Sequence, residues 1–401
     1  MAMNKGWLLL LLALFSNPGH TQTVPAEATL RAGVITMAPG EEFWARFGHD
    51  AIIIENTATK ESISFNFGFF DMSEPGFFSN FLNGKMQYQL VALPTEEDLQ
   101  SYRDMGRGVG VQWLNLDQKQ IRDLYLALEE NARPENSRYT YDYFTANCST
   151  RVRDSLDTIL NGQIKTQLSS PSLGNTYRGE SVRLAWPAKW MAMGFHAGLG
   201  PAADKPLSRW DEAFIPMRLR DSLRLIKLSD GRPLVSGEEE LLPHRLSMPP
   251  EDMPPWKKTA FMIGIALAIG IFFLAKRTPR LLSGLAGIFW LCAGLLGCLM
   301  LFVWFGSAHW AGYRNANLLL MSPLALTLLP GAWCILRSKH PGKYFNHLLW
   351  LSAAMAAVAG FLQFLPFLAQ QNFEWVLMLL PVHLALAKSL AINPDSLRDK
   401  P

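Results

Sequence analysis

The sequence predicts an exported α+β domain followed by an all-α bundle of about five transmembrane helices. Three observations lead to this fold class: charged residues crowd positions 23–258, residues 259–391 are mostly apolar, and a short apolar run follows Lys5. Charged residues make up 18% of the 401 positions and hydrophobic residues 49%, with a net charge of +3. This composition argues against a disordered chain or an ordinary cytosolic enzyme, and the weak net charge does not suggest nucleic-acid binding.

The same observations divide the chain into segments. Residues 1–22 have the pattern of a signal peptide or an uncleaved N-terminal anchor, because the apolar run from Trp7 to Phe15 is too short to cross a bilayer that needs about twenty residues. The segments that follow are a periplasmic domain at 23–240, a Pro-rich linker at 241–258, a transmembrane domain at 259–391 and a cytoplasmic tail at 392–401.

The apolar half contains stretches long enough to span a membrane, namely 259–275, 282–305, 317–336, 346–368 and 373–391. Basic residues follow the first, third and fifth stretches, whereas the other two loops hold only Arg314. Because basic loops favour the cytoplasmic side, this alternation predicts a multi-pass protein of the bacterial inner membrane with its N-terminal domain in the periplasm.

In the periplasmic domain, hydrophobic patterns predict strands at 51–54, 62–67 and 86–91 within a mostly antiparallel sheet. We also expect one helix capped by Thr95, with Asp98 completing a near capping box.

A second helix should begin at an Asp117 cap, and a third should begin near Cys148. The apolar face of the third helix is formed by Val152, Leu156, Ile159 and Leu160, and Asn161-Gly162 ends it.

Cys148 is the lone cysteine of the exported domain, since Cys292, Cys298 and Cys334 fall in the predicted spans. The free N–H groups and the dipole at a helix start favour a thiolate, so this position suits a nucleophile. A nucleophile needs a base, and His49 precedes a buried strand, where a fixed acid/base residue can be held. The alternative is a core histidine and an incidental thiol.

Several stretches of the exported half carry a resemblance to known proteins: Phe47-Gly48-His49-Asp50, residues 65–71 with 84–88, residues 141–151 around Asn147-Cys148, and residues 200–216. With its histidine ahead of its cysteine, the chain resembles the circularly permuted papain-like group, which includes lecithin–retinol acyltransferase relatives. It resembles the Lnb-type lipoprotein N-acyltransferase family more closely, over roughly residues 30–230. The resemblance implies a circularly permuted papain-like (NlpC/P60-like) exported domain.

Three further residues near the predicted dyad are candidates for the site. Asn66, on the polar face of a predicted strand, is our choice for a third, orienting group, and an ordinary sheet-face amide is the alternative. Asn147 could donate to an oxyanion or cap the helix. Arg151 could meet a lipid phosphate or lie on a solvated helix face.

A second motif lies between the second and third predicted spans. There, Ser307-Ala308-His309 followed by Asn315-Ala316-Asn317 resembles a motif of the same family. Because polar groups at that depth are costly and often functional, we predict that His309, Asn315 and Asn317 form a lipid-headgroup or substrate site. A plain polar turn is the alternative.

The resemblance implies an acyltransferase with a Cys-His dyad that moves an acyl chain from a phospholipid, through a Cys148 thioester, to diacylated lipoproteins. We expect no cofactor, because the path from ester to thioester to amide ends downhill, and the sequence shows no P-loop, dinucleotide fingerprint or metal-spaced His/Cys cluster. The alternatives are an NlpC/P60-like cell-wall amidase, a membrane phospholipase or thioesterase, and a non-catalytic envelope assembly factor.

Overall fold

The computed structural model describes residues 29–172, 174–365, 367 and 370–391. It consists of a mixed α/β domain with an antiparallel sheet, followed by a region of long apolar helices, so the predicted fold class is confirmed. The predicted signal peptide or anchor at 1–22 and the predicted tail at 392–401 lie outside the described residues.

An antiparallel sheet forms the framework of the first domain. Its described strands are β1 (Leu30–Met37), β2 (His49–Asn56), β3 (Ser62–Phe69), β4 (Gln87–Pro94), β5 (Val109–Leu114), β6 (Arg138–Thr140) and β7 (Val235–Leu242). They lie in the order β6-β4-β3-β2-β1-β5-β7, with antiparallel pairing throughout. The predicted strands correspond to β2, β3 and β4, and the expected antiparallel pairing is confirmed.

Helices cover both faces of this sheet. Those described in the domain are α1 (Phe77–Asn83), α2 (Thr95–Asp104), α3 (Gln118–Ala132), α4 (Cys148–Ile159), α5 (Gln163–Leu168), α6 (Tyr177–Ala185), α7 (Lys189–Gly198), α8 (Arg209–Glu212) and α9 (Pro216–Leu223). Helices α3 and α4 pack in one core with Val34 and Ile52, whereas α2 packs in another core with Met37 and Ile53. Successive residues of a strand therefore face different helices.

Two helices begin at the side-chain caps that the sequence indicates. At α3, Asp117 Oδ1 accepts from Gln120 N at 2.8 Å, and Gln120 Oε1 accepts from Asp117 N at 3.0 Å. At α4, Asn147 and Thr150 make the same reciprocal pair at 2.9 and 2.8 Å. These caps satisfy free N–H groups locally, so the predicted helix starts near Asp117 and Cys148 are confirmed.

The predicted cap at Thr95 is wrong. Thr95 is the first residue of α2, and the cap position is Pro94, the last residue of β4. The Asp98 carboxylate is turned toward the sheet instead, where it accepts from Ser64 Oγ at 2.7 Å and Asn66 Nδ2 at 2.9 Å. A strand that continues directly into a helix leaves no separate capping turn.

The boundary predicted at residue 240 falls inside β7, two residues before the strand ends. This strand pairs with β5 and ends at Leu242. The Pro-rich linker that follows is held along the domain, since Arg245 N donates to Gly106 O at 2.9 Å and Arg183 Nη1 donates to Pro250 O at 2.9 Å.

Within the described part of the chain, five segments are long and apolar enough to cross a membrane. They are α10 (Lys257–Arg277), α11 (Pro279–Gly306), the segment Ala316–Leu336 that ends in α12 (Leu329–Leu336), α13 (Phe345–Leu362) and α14 (Phe373–Leu390). The predicted number and order of spans are confirmed. The fourth span is shorter than the predicted range of 346–368, because its helix ends at Leu362.

The third span is not the continuous helix expected over 317–336. Two 3-10 segments, Ala316–Leu319 and Pro323–Leu328, precede α12. Between them, the carbonyl oxygen of Leu320 accepts from His383 Nε2 of α14 at 2.9 Å. Because an unpaired carbonyl is costly in hydrocarbon, this buried histidine stabilises the break in the helix.

Candidate active site

Cys148 is the first residue of α4 and lies half-buried against β2 and β3. The main-chain N–H groups of Cys148, Ser149 and Asp50 face its sulfur. The first two belong to the free amides at the start of a helix, and the third comes from the neighbouring strand. The arrangement favours negative charge here, on the sulfur or on an acyl oxygen bound beside it.

Despite these N–H groups, the resting side chain is a thiol. Burial, together with the nearby Asp50 carboxylate, raises the pKa of Cys148 to about 12, although the N–H groups oppose the rise. At neutral pH the sulfur therefore carries its proton. A nucleophile in this state requires a base that removes the proton as the attack proceeds.

His49 is the first residue of β2, as the sequence predicts, and its ring is held by Asn66 of β3. The distance between His49 Nε2 and Asn66 Oδ1 is 3.0 Å. The Asn66 amide is itself oriented, because Nδ2 donates to Asp98 Oδ2 at 2.9 Å and to Ser64 Oγ at 3.2 Å. The structure thus brings His49 together with the predicted orienting residue and adds Asp98 behind it.

These contacts determine which nitrogen of His49 can act as a base. Since Asn66 Nδ2 is directed toward the Asp98 carboxylate, the Asn66 atom facing the ring is the carbonyl oxygen, which can only accept. Nε2 of His49 must then carry the proton, and Nδ1 is left with the lone pair. The tautomer is that of a base whose free nitrogen is Nδ1.

Arg107, which the sequence analysis does not single out, lies in the same neighbourhood. Its guanidinium interacts electrostatically with Cys148 and acts on the ring of His49. Burial lowers the pKa of His49; Asp98 and the Asn66 hydrogen bond oppose this lowering, and Arg107 adds to it. Arg107 is buried, and its Nη2 has no hydrogen-bond partner among the described residues.

Asp50 is a second buried charge beside the sulfur. Its carboxylate receives a hydrogen bond from Thr36 Oγ1 at 2.8 Å and lies 2.7 Å from Ser149 Oγ. Burial raises the pKa of Asp50 to about 6, although both hydroxyl groups act in the opposite direction. Asp50, the residue after the candidate base, is therefore joined to Ser149, the residue after the candidate nucleophile.

Sequence signals for these additional residues exist, but they are weak. Asp50 follows His49 directly in the quoted motif, and Arg107 stands between two glycines ahead of an apolar strand. Asp98 shows no such signal, because its position four residues into a helix resembles an ordinary capping residue.

Asn147 acts as a cap and not as an oxyanion donor. Its Oδ1 accepts from Thr150 N, while its Nδ2 donates to Tyr143 O at 2.9 Å and to Phe214 O at 2.8 Å. Both amide protons of the side chain therefore have acceptors. Arg151 lies with its guanidinium carbon 4.4 Å from the centroid of the Tyr139 ring, and its predicted phosphate contact stays a prediction.

His309, Asn315 and Asn317 lie where the two halves of the molecule meet. Nδ2 of Asn315 donates to Ala197 O at 2.7 Å, and Nδ2 of Asn317 donates to the same oxygen at 2.9 Å. His309 Nε2 is 2.8 Å from Phe81 O, to which it donates. These bonds tie the membrane spans to α7 and α1, and the lipid-binding role of the three residues stays a prediction.

Comparison with protein families now identifies the chain. Residues 20–182 match the Lnb N-terminal periplasmic domain, and residues 253–393 match the Lnb transmembrane domain, in that order. The chain belongs to the Lnb family. Neither the curated proteins nor the solved structures compared with it gave a match.

Family membership agrees with the architecture. This Lnb family member is a multi-pass membrane protein with a periplasmic N-terminal domain, and its family indicates a membrane enzyme that processes lipoproteins. The first match includes His49, Asn66 and Cys148, and the second includes the loop around His309. The candidate catalytic residues and the predicted lipid-binding loop thus lie within matched segments.

Proposed function

We propose that this Lnb family member is a lipoprotein N-acyltransferase of the inner membrane, with Cys148 as nucleophile and His49 as base. The observation that carries the proposal is the arrangement at the start of α4. The Cys148 thiol lies there, facing the main-chain N–H groups of Cys148, Ser149 and Asp50, and Asp50 directly follows His49, whose tautomer is set by Asn66. Membership of the Lnb family supports the proposed class of substrate, and this arrangement supports the proposed chemistry.

In the first step, His49 Nδ1 takes the thiol proton as the sulfur attacks an ester carbonyl of a phospholipid. The C–S bond forms, the ester C–O bond breaks, and the departing oxygen of the lysophospholipid takes the proton from His49. Negative charge develops on the carbonyl oxygen in between, and main-chain N–H groups at the start of α4 stabilise it.

In the second step, the α-amino group of the lipid-modified cysteine of a lipoprotein attacks the thioester carbonyl. The new C–N bond forms as the C–S bond breaks, and one amine proton passes through His49 to the departing sulfur. An amide is more stable than a thioester, so no nucleotide is required. The membrane half would hold both lipid substrates near the thiol, which lowers the entropic cost of the reaction.

The test compares cells that carry the wild type, Cys148→Ser or Cys334→Ser, using mass spectrometry of lipoprotein N-termini and of the Cys148 peptide. Cys334 is a matched control, because it is also a free cysteine but lies in the third span. We expect N-acylated lipoproteins and a hydroxylamine-labile acyl group on Cys148 in the wild type and in Cys334→Ser. Neither product should form in Cys148→Ser.

Two outcomes would contradict the proposal. N-acylation that persists in Cys148→Ser would remove Cys148 as the nucleophile. Release of free fatty acid without N-acylated lipoprotein in the wild type would identify a hydrolase, in which water replaces the amine.

A further inference from the structure

Helix α1, with the sequence FFSNFLN, exposes apolar side chains instead of burying them. None of its seven residues, all of them described, is buried. Phe78 is 67% exposed and Leu82 is 53% exposed. Because large apolar side chains are stabilised when they leave water, such a helix indicates contact with another apolar phase.

The position of α1 relative to the spans identifies that phase. Asn83 O accepts from Ala308 N at 2.8 Å, and Phe81 O accepts from His309 Nε2 at 2.8 Å. Ala308 and His309 follow the last residue of α11, a span of 28 residues. Such a helix is about 42 Å long, which equals the thickness of a bilayer with its headgroups. The hydrogen bonds therefore hold α1 at headgroup level.

The close approach at Gly84 secures this position. Gly84 follows α1 with a φ of +69°, and a Cβ atom there would lie 3.0 Å from the carbonyl carbon of Ala308 and 3.0 Å from the nitrogen of His309. Only glycine allows α1 and the end of the span to come this close without strain.

A continuous set of aromatic rings leads from α1 into the domain, and we name it the aromatic wall: Phe77, Phe70, Tyr88 and Tyr141. Successive ring centroids lie 5.8, 4.9 and 4.2 Å apart. These separations are those of packed aromatic pairs, so the rings form one continuous stack in which Tyr88 is buried.

The aromatic wall ends beside the candidate nucleophile. Gly68 lies between them, with a φ of +93°, and a Cβ atom built on it would be 3.6 Å from the Tyr141 ring and 3.7 Å from Cys148 Cβ. Any larger residue would place its side chain between the wall and the cysteine. Glycine at this position thus leaves a space about the size of one carbon atom between the Tyr141 ring, the Tyr139 hydroxyl group and Cys148.

Exposed aromatic side chains also lie next to the aromatic wall at Phe70. Trp44 is 54% exposed and lies 6.4 Å from Phe70, and Phe43 stacks on Trp190, which is 71% exposed. Tryptophan and other aromatic residues are enriched at the membrane–water interface. Phe43, Trp44 and Trp190 are thus also suited to contact the headgroup region of a membrane.

We propose that α1 inserts Phe78 and Leu82 into the leaflet on the periplasmic side, and that the aromatic wall holds one acyl chain of a phospholipid beside Cys148. The occupant is a lipid chain because the wall begins on a helix that is joined to the end of a membrane span, at headgroup level. The inference rests on the proposed function, since an acyl chain on the wall would present its ester carbonyl to the sulfur.

The first test detects the lipid without any chemistry at Cys148. The photo-crosslinking residue p-benzoylphenylalanine is placed at position 78 of the full-length Cys148→Ala variant or, as a control, at position 126. The protein is reconstituted in vesicles of phosphatidylethanolamine and phosphatidylglycerol whose acyl chains carry an alkyne tag. Leu126 of α3 is 54% exposed, almost the same as Leu82, but it lies on a helix that packs on β1 and β4. We expect light-dependent lipid labelling from position 78 and not from position 126. No labelling from 78, or equal labelling from both, would overturn the inference.

The second test measures the route to the sulfur. Phe78→Ser with Leu82→Ser should reduce acylation of Cys148 by vesicle phospholipid at least about tenfold, which corresponds to losing only about 1.4 kcal/mol of apolar contact. Acylation by a water-soluble short-chain phospholipid, and alkylation of Cys148 by iodoacetamide, should match those of the wild type. Leu126→Ser should leave all three rates unchanged. Unchanged vesicle acylation in the double variant, or an equal loss with both donors, would overturn the inference.

The two tests separate this inference from the proposed function. If the wild type never forms acyl-Cys148 with either donor, the proposed function fails, and labelling from position 78 alone decides whether α1 contacts lipid. The other case is that acyl-Cys148 forms, but position 78 labels no lipid and the double variant is acylated by vesicle phospholipid at the wild-type rate. The proposed function then stands, and the inference about α1 and the aromatic wall is wrong.

Discussion

At the scale of single residues, the base is the group whose surroundings most directly control the proposed chemistry. Burial lowers the pKa of His49, while the carboxylate of Asp98 and the guanidinium of Arg107 act on that pKa in opposite directions. A histidine can accept the thiol proton only while it is neutral. A lowered pKa therefore keeps the base available at a lower pH.

Removing Arg107 should shift the pH dependence of acyl transfer. Arg107→Gln takes away one of the causes that lower the pKa of His49, so that pKa rises and the acid limb of the pH–rate profile moves to higher pH. Asp98→Asn removes the opposing charge and should move the same limb to lower pH. The measurement is the rate of Cys148 acylation by a water-soluble donor as a function of pH.

Arg103→Gln is the matched control for this prediction. Arg103 also carries a guanidinium group, but it lies on the surface at the end of α2, where it pairs with Glu96. Removing the Arg103 charge should leave the pH–rate profile of Cys148 acylation unchanged. The prediction is contradicted if the acid limb of the pH–rate profile does not move in Arg107→Gln. It is also contradicted if the limb moves equally far in Arg103→Gln, because the Arg107 charge would then have no specific effect on the base.

At the scale of elements, α3 and α4 begin with the same kind of capping box but differ in what the cap touches. The Asp117 cap of α3 forms its reciprocal hydrogen bonds with Gln120, in the first turn of its own helix. The Asn147 cap of α4 also donates to Tyr143 O and Phe214 O, which belong to the segment before the helix and to a segment far along the chain. The position of Cys148 thus depends on contacts beyond the helix.

Asn147→Ala and Asp117→Ala should separate helix stability from placement of the nucleophile. Each change removes a cap, which should lower the free energy of unfolding by about 1 kcal/mol, and Asn147→Ala should lower it further because two carbonyl groups lose their donor. Only Asn147→Ala also leaves the two carbonyl groups unpaired, so only this variant should slow acylation of Cys148. Denaturation of the full chain in detergent micelles gives the first quantity, and the rate with a short-chain donor gives the second. Equal acylation rates in the two variants would show that the cap does not position Cys148.

At the scale of the whole molecule, the periplasmic domain is joined to the spans by buried amide groups. Asn315 and Asn317 are 2% and 0% exposed, and Gln370 donates to Leu199 O at 3.1 Å and to Asn315 Oδ1 at 3.0 Å. Trp310 Nε1 also donates to Asp142 Oδ2, at 2.8 Å, on the loop before Cys148. The junction therefore reaches the neighbourhood of the nucleophile.

Loosening this junction should impair transfer from the membrane and leave the thiol intact. Asn315→Ala with Asn317→Ala leaves Ala197 O without its two side-chain donors, at a cost of about 1–3 kcal/mol for an unsatisfied group. We expect faster amide hydrogen exchange over residues 196–200 and at least about tenfold slower N-acylation of lipoproteins. Alkylation of Cys148 should be unchanged.

Ser322→Ala controls for a general effect on the third span, because Ser322 caps a 3-10 segment of that span within the membrane region. It should change neither hydrogen exchange at 196–200 nor N-acylation. Normal N-acylation in the double variant despite faster exchange would mean that the spans act as an anchor only.

The sequence by itself determined the features that depend on neighbouring residues. Long apolar stretches predicted the spans, and the caps at Asp117 and Asn147 predicted two helix starts, since a cap acts within one turn. The same local reasoning located Cys148 at a helix start and His49 at a strand start. It missed β7, which carries three consecutive glutamates instead of an alternating pattern.

The tertiary structure alone decided which residues meet. Asp98 has the spacing of a capping residue, but the register of β2 with β3 and the packing of α2 on the sheet direct its carboxylate to Asn66, and through Asn66 to His49. Asn315 and Asn317 resemble a polar loop until the spans assemble and their amides meet the carbonyl groups of α7. Hydrogen bonds between residues distant in the chain depend on how whole elements pack, and a local pattern contains no information about that packing.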